Sequence, residues 1–404
     1  MNKDAGISGN TAARSLSIDV FRGLTILLMI FVNDLAGVAG VPPWLKHMPA
    51  EVDGMSLADL VFPAFLFIVG LSLPLSLRQR QQSGASRSQM LAHQFMRSVS
   101  LIVIGVMMVN AEEAYQQQAM PVSIHLWSAF SLVAVIMVWH VASKTSPRRS
   151  LLFRWLGIAV LLTLALIYRS GADGQSGLQV HWWGILGLIG WASMFASLVV
   201  IFFGLSLPVI LLSNVLCLLG FVFFQSHYMS QISALHCLRD EANQLTHVML
   251  VLCGAFVSHI LFGLPVTSAT EKYKRLRLLL IWNINAFLIA FVLHCFFPIS
   301  KIHATPSWAW FSVAFCSTVT LLLYLFIDVF RWEGRFQLLL IPAKNSLFIY
   351  LLPFLIYSSS QYLQLELLPF LRAGVVGMIS SLLYIVFLIY LVKCLNGLGL
   401  KLKL

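Results

Sequence analysis

The sequence predicts an all-α fold, a polytopic integral membrane bundle of about twelve transmembrane helices with both termini on the inner side. Three observations predict it. Hydrophobic residues make up 59% of the chain and charged residues only 10%, far from the balance of a water-soluble domain. Uncharged runs of about 20 residues, enough to cross a bilayer core, recur from Val20 to the C-terminus. Lys and Arg gather in short clusters between those runs, where they set topology.

Taken in order, the first helix is expected at 20–40. It follows a polar stretch, Met1 to Ser17, with no small-residue cleavage site after a short apolar core, so it is expected to be retained. The second, 57–77, opens on Ser56-Leu57-Ala58-Asp59, an N-cap followed by an acid where the positive helix end favours it. The third, fourth and fifth fall at 95–112, 122–143 and 151–168, with basic clusters at Arg78 to Arg97 and at Lys144 to Arg154. The sixth and seventh, 183–203 and 205–224, are divided only by Gly204 to Pro208, a short break without charge. The eighth to twelfth follow at 245–264, 276–297, 308–329, 336–357 and 373–395. Residues 1–17 and 398–404 form inner tails, and 18–397 form one transmembrane domain that leaves no room for a sizeable soluble one.

Of the 26 Lys and Arg, only Lys46, Arg169, Arg239, Lys301 and Arg372 fall in outer segments under this scheme. That asymmetry gives the N-in, C-in orientation. It also excludes nucleic acid as the partner of the +11 net charge, because the cations do not form one basic face. Five of the six cysteines lie inside apolar runs and Cys237 in an outer loop. No C-x-x-C spacing appears, so neither an exported disulfide pair nor a metal is expected.

Polar side chains within a span cost free energy, so they pair, face the bundle interior or serve function. Asp19 and Arg22, three residues apart, share a face of the first helix. At its outer end stand Asn33 and Asp34, and His47 and Asp59 follow within reach of the same face. A histidine is suited to move protons near neutral pH. Asp59 or Asp34 can fix its tautomer, and the Asn33 amide can donate to a developing oxyanion. Further polar positions are His125, Asn214, His247, His259, Asn283, Asn285, His294, Asp328 and Asn345, most of them expected to be interhelical hydrogen-bonding groups. His294, with His303 in the loop after it, can reach the outer site. Trp182-Trp183 and Trp308 with Trp310 are read as interfacial aromatic belts.

Three stretches carry a resemblance. Leu16-Ser-Ile-Asp-Val-Phe-Arg-Gly-Leu-Thr runs on to Asn33, then comes Lys46-His47, then Gly54-Met-Ser-Leu-Ala-Asp-Leu-Val-Phe-Pro-Ala-Phe-Leu-Phe-Ile-Val-Gly70. Trp182 to Trp191, and Pro298 through Asp328 to Lys344-Asn345-Ser-Leu-Phe-Ile-Tyr350, agree with it. This pattern resembles the heparan-α-glucosaminide N-acetyltransferase family of transmembrane acyltransferases, with bacterial NagX-like proteins also similar. The resemblance implies a multi-pass enzyme of the bacterial inner membrane that takes acetyl from cytosolic acetyl-CoA, its co-substrate, to the amine of glucosamine or a glucosamine-containing saccharide on the periplasmic side. It places the active-site histidine at His47 and the catalytic asparagine at Asn33, and it implies a homodimer. Two departures stand out. Pro42-Pro43 lie in a longer Asn33–His47 interval, and His125-Leu-Trp-Ser-Ala-Phe130 replaces the family's Gly-Val-Leu-Gln-Arg in the fourth helix.

On this reading Arg22, Arg78, Lys274, Arg275 and Lys344, with Asp19 and Asn345 beside them, are candidates to hold the donor at the inner face. His125, His294 and His303 are candidates to meet the sugar. Two other readings remain open, a transporter of N-acetylglucosamine-related sugars and an O-acyltransferase of a cell-envelope glycan.

Overall fold

The computed structural model describes residues 16–141, 147–226, 241–263, 268–365 and 368–402. The expected tail up to residue 15, Lys144, Arg239 and Cys237 lie outside the described residues. Within them the chain is helical, with isolated bridges such as Ala39 to Ala373 in place of strands.

Among the described residues thirteen α-helices form in chain order. They are α1 Leu16–Leu35, α2 Leu57–Gln82, α3 Arg87–Glu112, α4 Ile124–Trp139, α5 Pro147–Ile167, α6 Gly184–Phe203, α7 Leu207–Gln225, α8 Asn243–Phe262, α9 Ala269–His294, α10 Pro306–Leu323, a short α11 Leu340–Lys344, α12 Ser346–Tyr362 and α13 Gly374–Gly397. Among the described residues ten are long and apolar enough to cross a membrane, α10 counting through Val329. A bent pair around Asn345 adds an eleventh, and α4 is apolar but shorter, at 16 residues.

The weak division at Gly204 is a true turn. Its φ of +80° ends α6, a conformation that costs glycine nothing, and α7 starts afresh at Leu207. Several expected boundaries shift, α9 beginning at Ala269 instead of 276, and two shifts have a local cause. Helix α3 begins at Arg87 instead of 95, because Ser86 and Gln89 form a capping box on its polar first turns. The eleventh span, read as 336–357, is not one helix. A 3-10 stretch, Glu333–Leu339, leads into α11, and the chain bends by 66° at Asn345 before α12. The Asn345 amide donates to Ile341 O across the break, 2.9 Å away.

Close backbone approach sets the core. Helices α2 and α8 press together where Gly70 faces the Val251 carbonyl and Gly254 faces Phe67 O, positions where any Cβ would collide. Such glycines let membrane helices approach without a hydrophobic driving force between them. Trp308 and Trp310, at the start of α10, are buried inside the bundle, at 0% and 4% exposure, so they are not an outer belt. The reason for Trp308 is local. Pro63 sits inside α2 without an N–H, which leaves the Asp59 carbonyl without a helical donor. Trp308 Nε1 donates to that carbonyl at 3.3 Å.

Candidate active site

The loop between α1 and α2 carries His47 and is laced to the loop between α9 and α10. Gly54 N donates to Ile299 O at 3.0 Å, Ile299 N donates to Asp53 Oδ1 at 2.7 Å, and Ser300 Oγ donates to Ala50 O at 3.3 Å. His294 Nε2 reaches Asp53 Oδ2 at 2.9 Å. The Ile299 N–H and His294 together hold the Asp53 carboxyl below its usual value. His294 thus fastens the loop that presents His47.

Asp59 organises His47. The Ser56 capping box fixes the carboxylate at the α2 N-terminus, where its Oδ2 accepts from Ser56 N, Ser56 Oγ and Met48 N at 3.0 to 3.1 Å. Its Oδ1 lies 2.8 Å from His47 Nδ1. An ionised carboxylate only accepts, so the proton belongs on Nδ1 and Nε2 is left with a lone pair. Above the ring lies Lys301 Nζ, 3.2 Å from Nδ1 and 3.3 Å from Nε2. Near-equal separations keep the ammonium off both lone-pair axes. Burial pushes the Lys301 ammonium below the usual lysine value, against the pull of the Asp59 charge.

His47 opens on a cavity of about 630 Å³ between α1, α3, α4, α6 and α12, a volume within the range of small-ligand sites. Its mouth is polar, with Asn33, Glu112, Tyr115, His125 and Gln361, and deeper in, Met29, Leu132 and Leu186 line it beside Ser131 and Tyr350. Asn33 makes no side-chain hydrogen bond among the described residues and faces the cavity. His125 and Ser128 of α4 line its wall.

The other candidates divide. Asp34 is buried in a separate cluster, bound by Arg372 Nη1 at 2.9 Å, Tyr357 OH at 2.6 Å and Ser381 Oγ at 2.5 Å. His303 is exposed and does not line the cavity. Toward the other end of α1, Arg22 binds Asp19 at 2.9 Å and Ser72 Oγ at 2.6 Å, about 10 Å below Met29 by helical rise. Arg78 donates to Phe262 O at 2.7 Å, and Arg275 caps Leu261 O and pairs with Glu271 at 3.1 Å. Both satisfy terminal carbonyls of α8. Lys344 is exposed. Lys274 and Arg275 line a second cavity that shares no residue with the first.

Sequence reasoning had not singled out Lys301, nor Glu112, Tyr115 and Gln361 at the mouth, nor Arg97. The Arg97 guanidinium is half-buried within Coulombic reach of Arg22 and has no hydrogen bond or ion pair among the described residues. Its place in the inner cation count concealed it. Among the described residues no group of three or more His, Cys, Asp or Glu is arranged to hold a metal ion.

A family model described as a domain of unknown function, DUF5009, matches residues 14–234, more than half of the chain. The chain belongs to this family. Two relatives are similar over a shorter stretch. A heparan-alpha-glucosaminide N-acetyltransferase of Mus musculus is 42% identical over 102 residues, 25% of this chain and 15% of that protein. The one of Homo sapiens is 43% identical over 98 residues, 24% of this chain and 14% of that protein. The matched stretch therefore spans about a seventh of these relatives' length.

Proposed function

We propose that the chain is a transmembrane N-acetyltransferase that moves acetyl from acetyl-CoA to the amine of glucosamine or a saccharide containing it. The observation that carries the reading is the Asp59–His47 pair, with Nε2 left free beside a cavity that Asn33 also lines. The similarity to proteins named as N-acetyltransferases supports the reaction class. In this reading the sugar amine attacks the thioester carbonyl. The C–N bond forms, His47 Nε2 takes the amine proton, and the Asn33 amide donates to the tetrahedral oxyanion. The oxyanion then collapses, the C–S bond breaks, and the proton passes to the leaving thiolate.

The loop charges support an inner side at the Arg22 end and an outer side at the His47 end. The donor's phosphates would then lie near Arg22 and Arg97, with the pantetheine arm rising past Met29 into the cavity. The polar mouth, with the Glu112 carboxylate and Gln361, suits an amino sugar. The membrane is taken to be the bacterial inner one.

Purified protein in detergent, given labelled acetyl-CoA and glucosamine, tests this. Labelled N-acetylglucosamine should form, and His47→Ala and Asn33→Ala should each lower its rate by about 100-fold or more. Absence of transfer, with sugar uptake by proteoliposomes lacking CoA, would replace the enzyme with a transporter. Label that mild base releases as an ester would make it an O-acyltransferase.

A further inference from the structure

The second cavity does not belong to the His47 site. Helices α7 and α9 both pack against α8, and between them runs a groove of about 950 Å³. At one end lie Lys274 and Arg275, near the start of α9, and the walls are apolar side chains such as Leu207, Leu211 and Ile281. In a membrane-spanning chain that groove faces lipid. The geometry points to a binding site for one anionic phospholipid, its phosphate at Lys274 and Arg275 and an acyl chain along α9.

Charge complementarity sets the headgroup. Lys274 is exposed and has no hydrogen bond or ion pair among the described residues. Arg275 is buried, its guanidinium held by Leu261 O and Glu271. The Glu271 carboxylate also lines the groove and would repel a phosphate, but Arg275 neutralises it at 3.1 Å. Lys274 therefore supplies the uncompensated charge. Basic side chains at this depth attract acidic lipids, at about five-fold in affinity for each.

Depth sets the chain. Lys274 to Asn285 is about 16 Å along α9, close to one leaflet of a hydrocarbon core about 30 Å thick. Free phosphate would leave those walls uncovered, whereas a lipid covers them. Trp282 lines the groove at 8% exposure, about 12 Å along α9 from Lys274, and so lies beside the path of the acyl chain.

The test uses the full chain in mild detergent. Dioleoyl phosphatidylglycerol and dioleoyl phosphatidylcholine are offered at equal mole fraction, and bound lipid is counted by native mass spectrometry. Phosphatidylglycerol should be retained about five-fold over phosphatidylcholine. Lys274→Gln, an exposed change, should bring that preference close to parity, and Leu211→Trp, which fills the groove, should remove both lipids. Thermal melts confirm that each variant is folded. As a second readout, brominated phosphatidylglycerol should quench a share of the tryptophan fluorescence that Trp282→Phe abolishes. Equal retention of the two lipids would overturn the proposal, as would retention unchanged in both variants. Displacement of phosphatidylglycerol by inorganic phosphate would show an anion site that needs no chain, and would overturn it equally.

Discussion

The Asp59 carboxylate holds His47 with one oxygen, 2.8 Å from Nδ1, and spends the other on three donors from Ser56 and Met48. The pair is therefore built into the start of α2, and the imidazole tautomer follows from a helix cap. Asp59→Asn tests this. An amide in place of the carboxylate can donate to Nδ1, which favours the tautomer with its proton on Nε2 and removes the base. By analogy with catalytic triads the rate should fall by about 10³- to 10⁴-fold. The amide also leaves buried donors underserved, at about 1–3 kcal/mol, so a melt should accompany the rate assay. A wild-type rate would mean that the tautomer does not matter.

Lys301 sets a pH dependence. Its folded-state value lies below the ordinary one because of burial, so the unfolded chain binds more protons in the window between the two. Stability there rises with pH, and below that window the buried charge carries its full cost. Lys301→Met should therefore leave the melting temperature unchanged or raise it at pH 7. A lower melting temperature for the variant at pH 7 would contradict this.

How much of this was legible follows from sequence distance. The cap at Ser56 and Asp59, the turn at Gly204 and the apolar spans are local, and their residue types announced them. The α3 start at Arg87 was hidden because hydropathy registers only its apolar part, while the Ser86 and Gln89 box extends it outward. Asp34 looked like a partner for His47 because the two are close in sequence. Its actual partners, Tyr357, Arg372 and Ser381, lie more than 300 positions away. Lys301 reaches His47 across 254 positions. Chain order alone cannot bring such residues together, and only the packing of the helices does.

Asp34 should consequently act on stability. It is about 5% exposed and gathers a guanidinium and two hydroxyls. Asp34→Ala leaves the half-buried Arg372 charge unpaired and should cost about 3 kcal/mol, read as a lower melting temperature in detergent. Transfer per folded molecule, measured well below that midpoint, should stay within about threefold of wild type. A loss of 100-fold with an unchanged melt would instead make Asp34 part of the chemistry.

The bond from Trp308 to the Asp59 carbonyl yields a coupling that can be measured. Pro63 cannot donate to that carbonyl, so the indole N–H is its donor across the helix interface. Trp308→Phe should cost about 1–3 kcal/mol for the orphaned carbonyl, in addition to the lost packing. In a Pro63→Ala background the backbone N–H at 63 takes over the carbonyl, so the same Trp308→Phe change should cost about 1 kcal/mol less. Melts of the four proteins close the cycle. Strict additivity would show that the indole is held by packing alone and that the proline leaves no unsatisfied acceptor at Asp59.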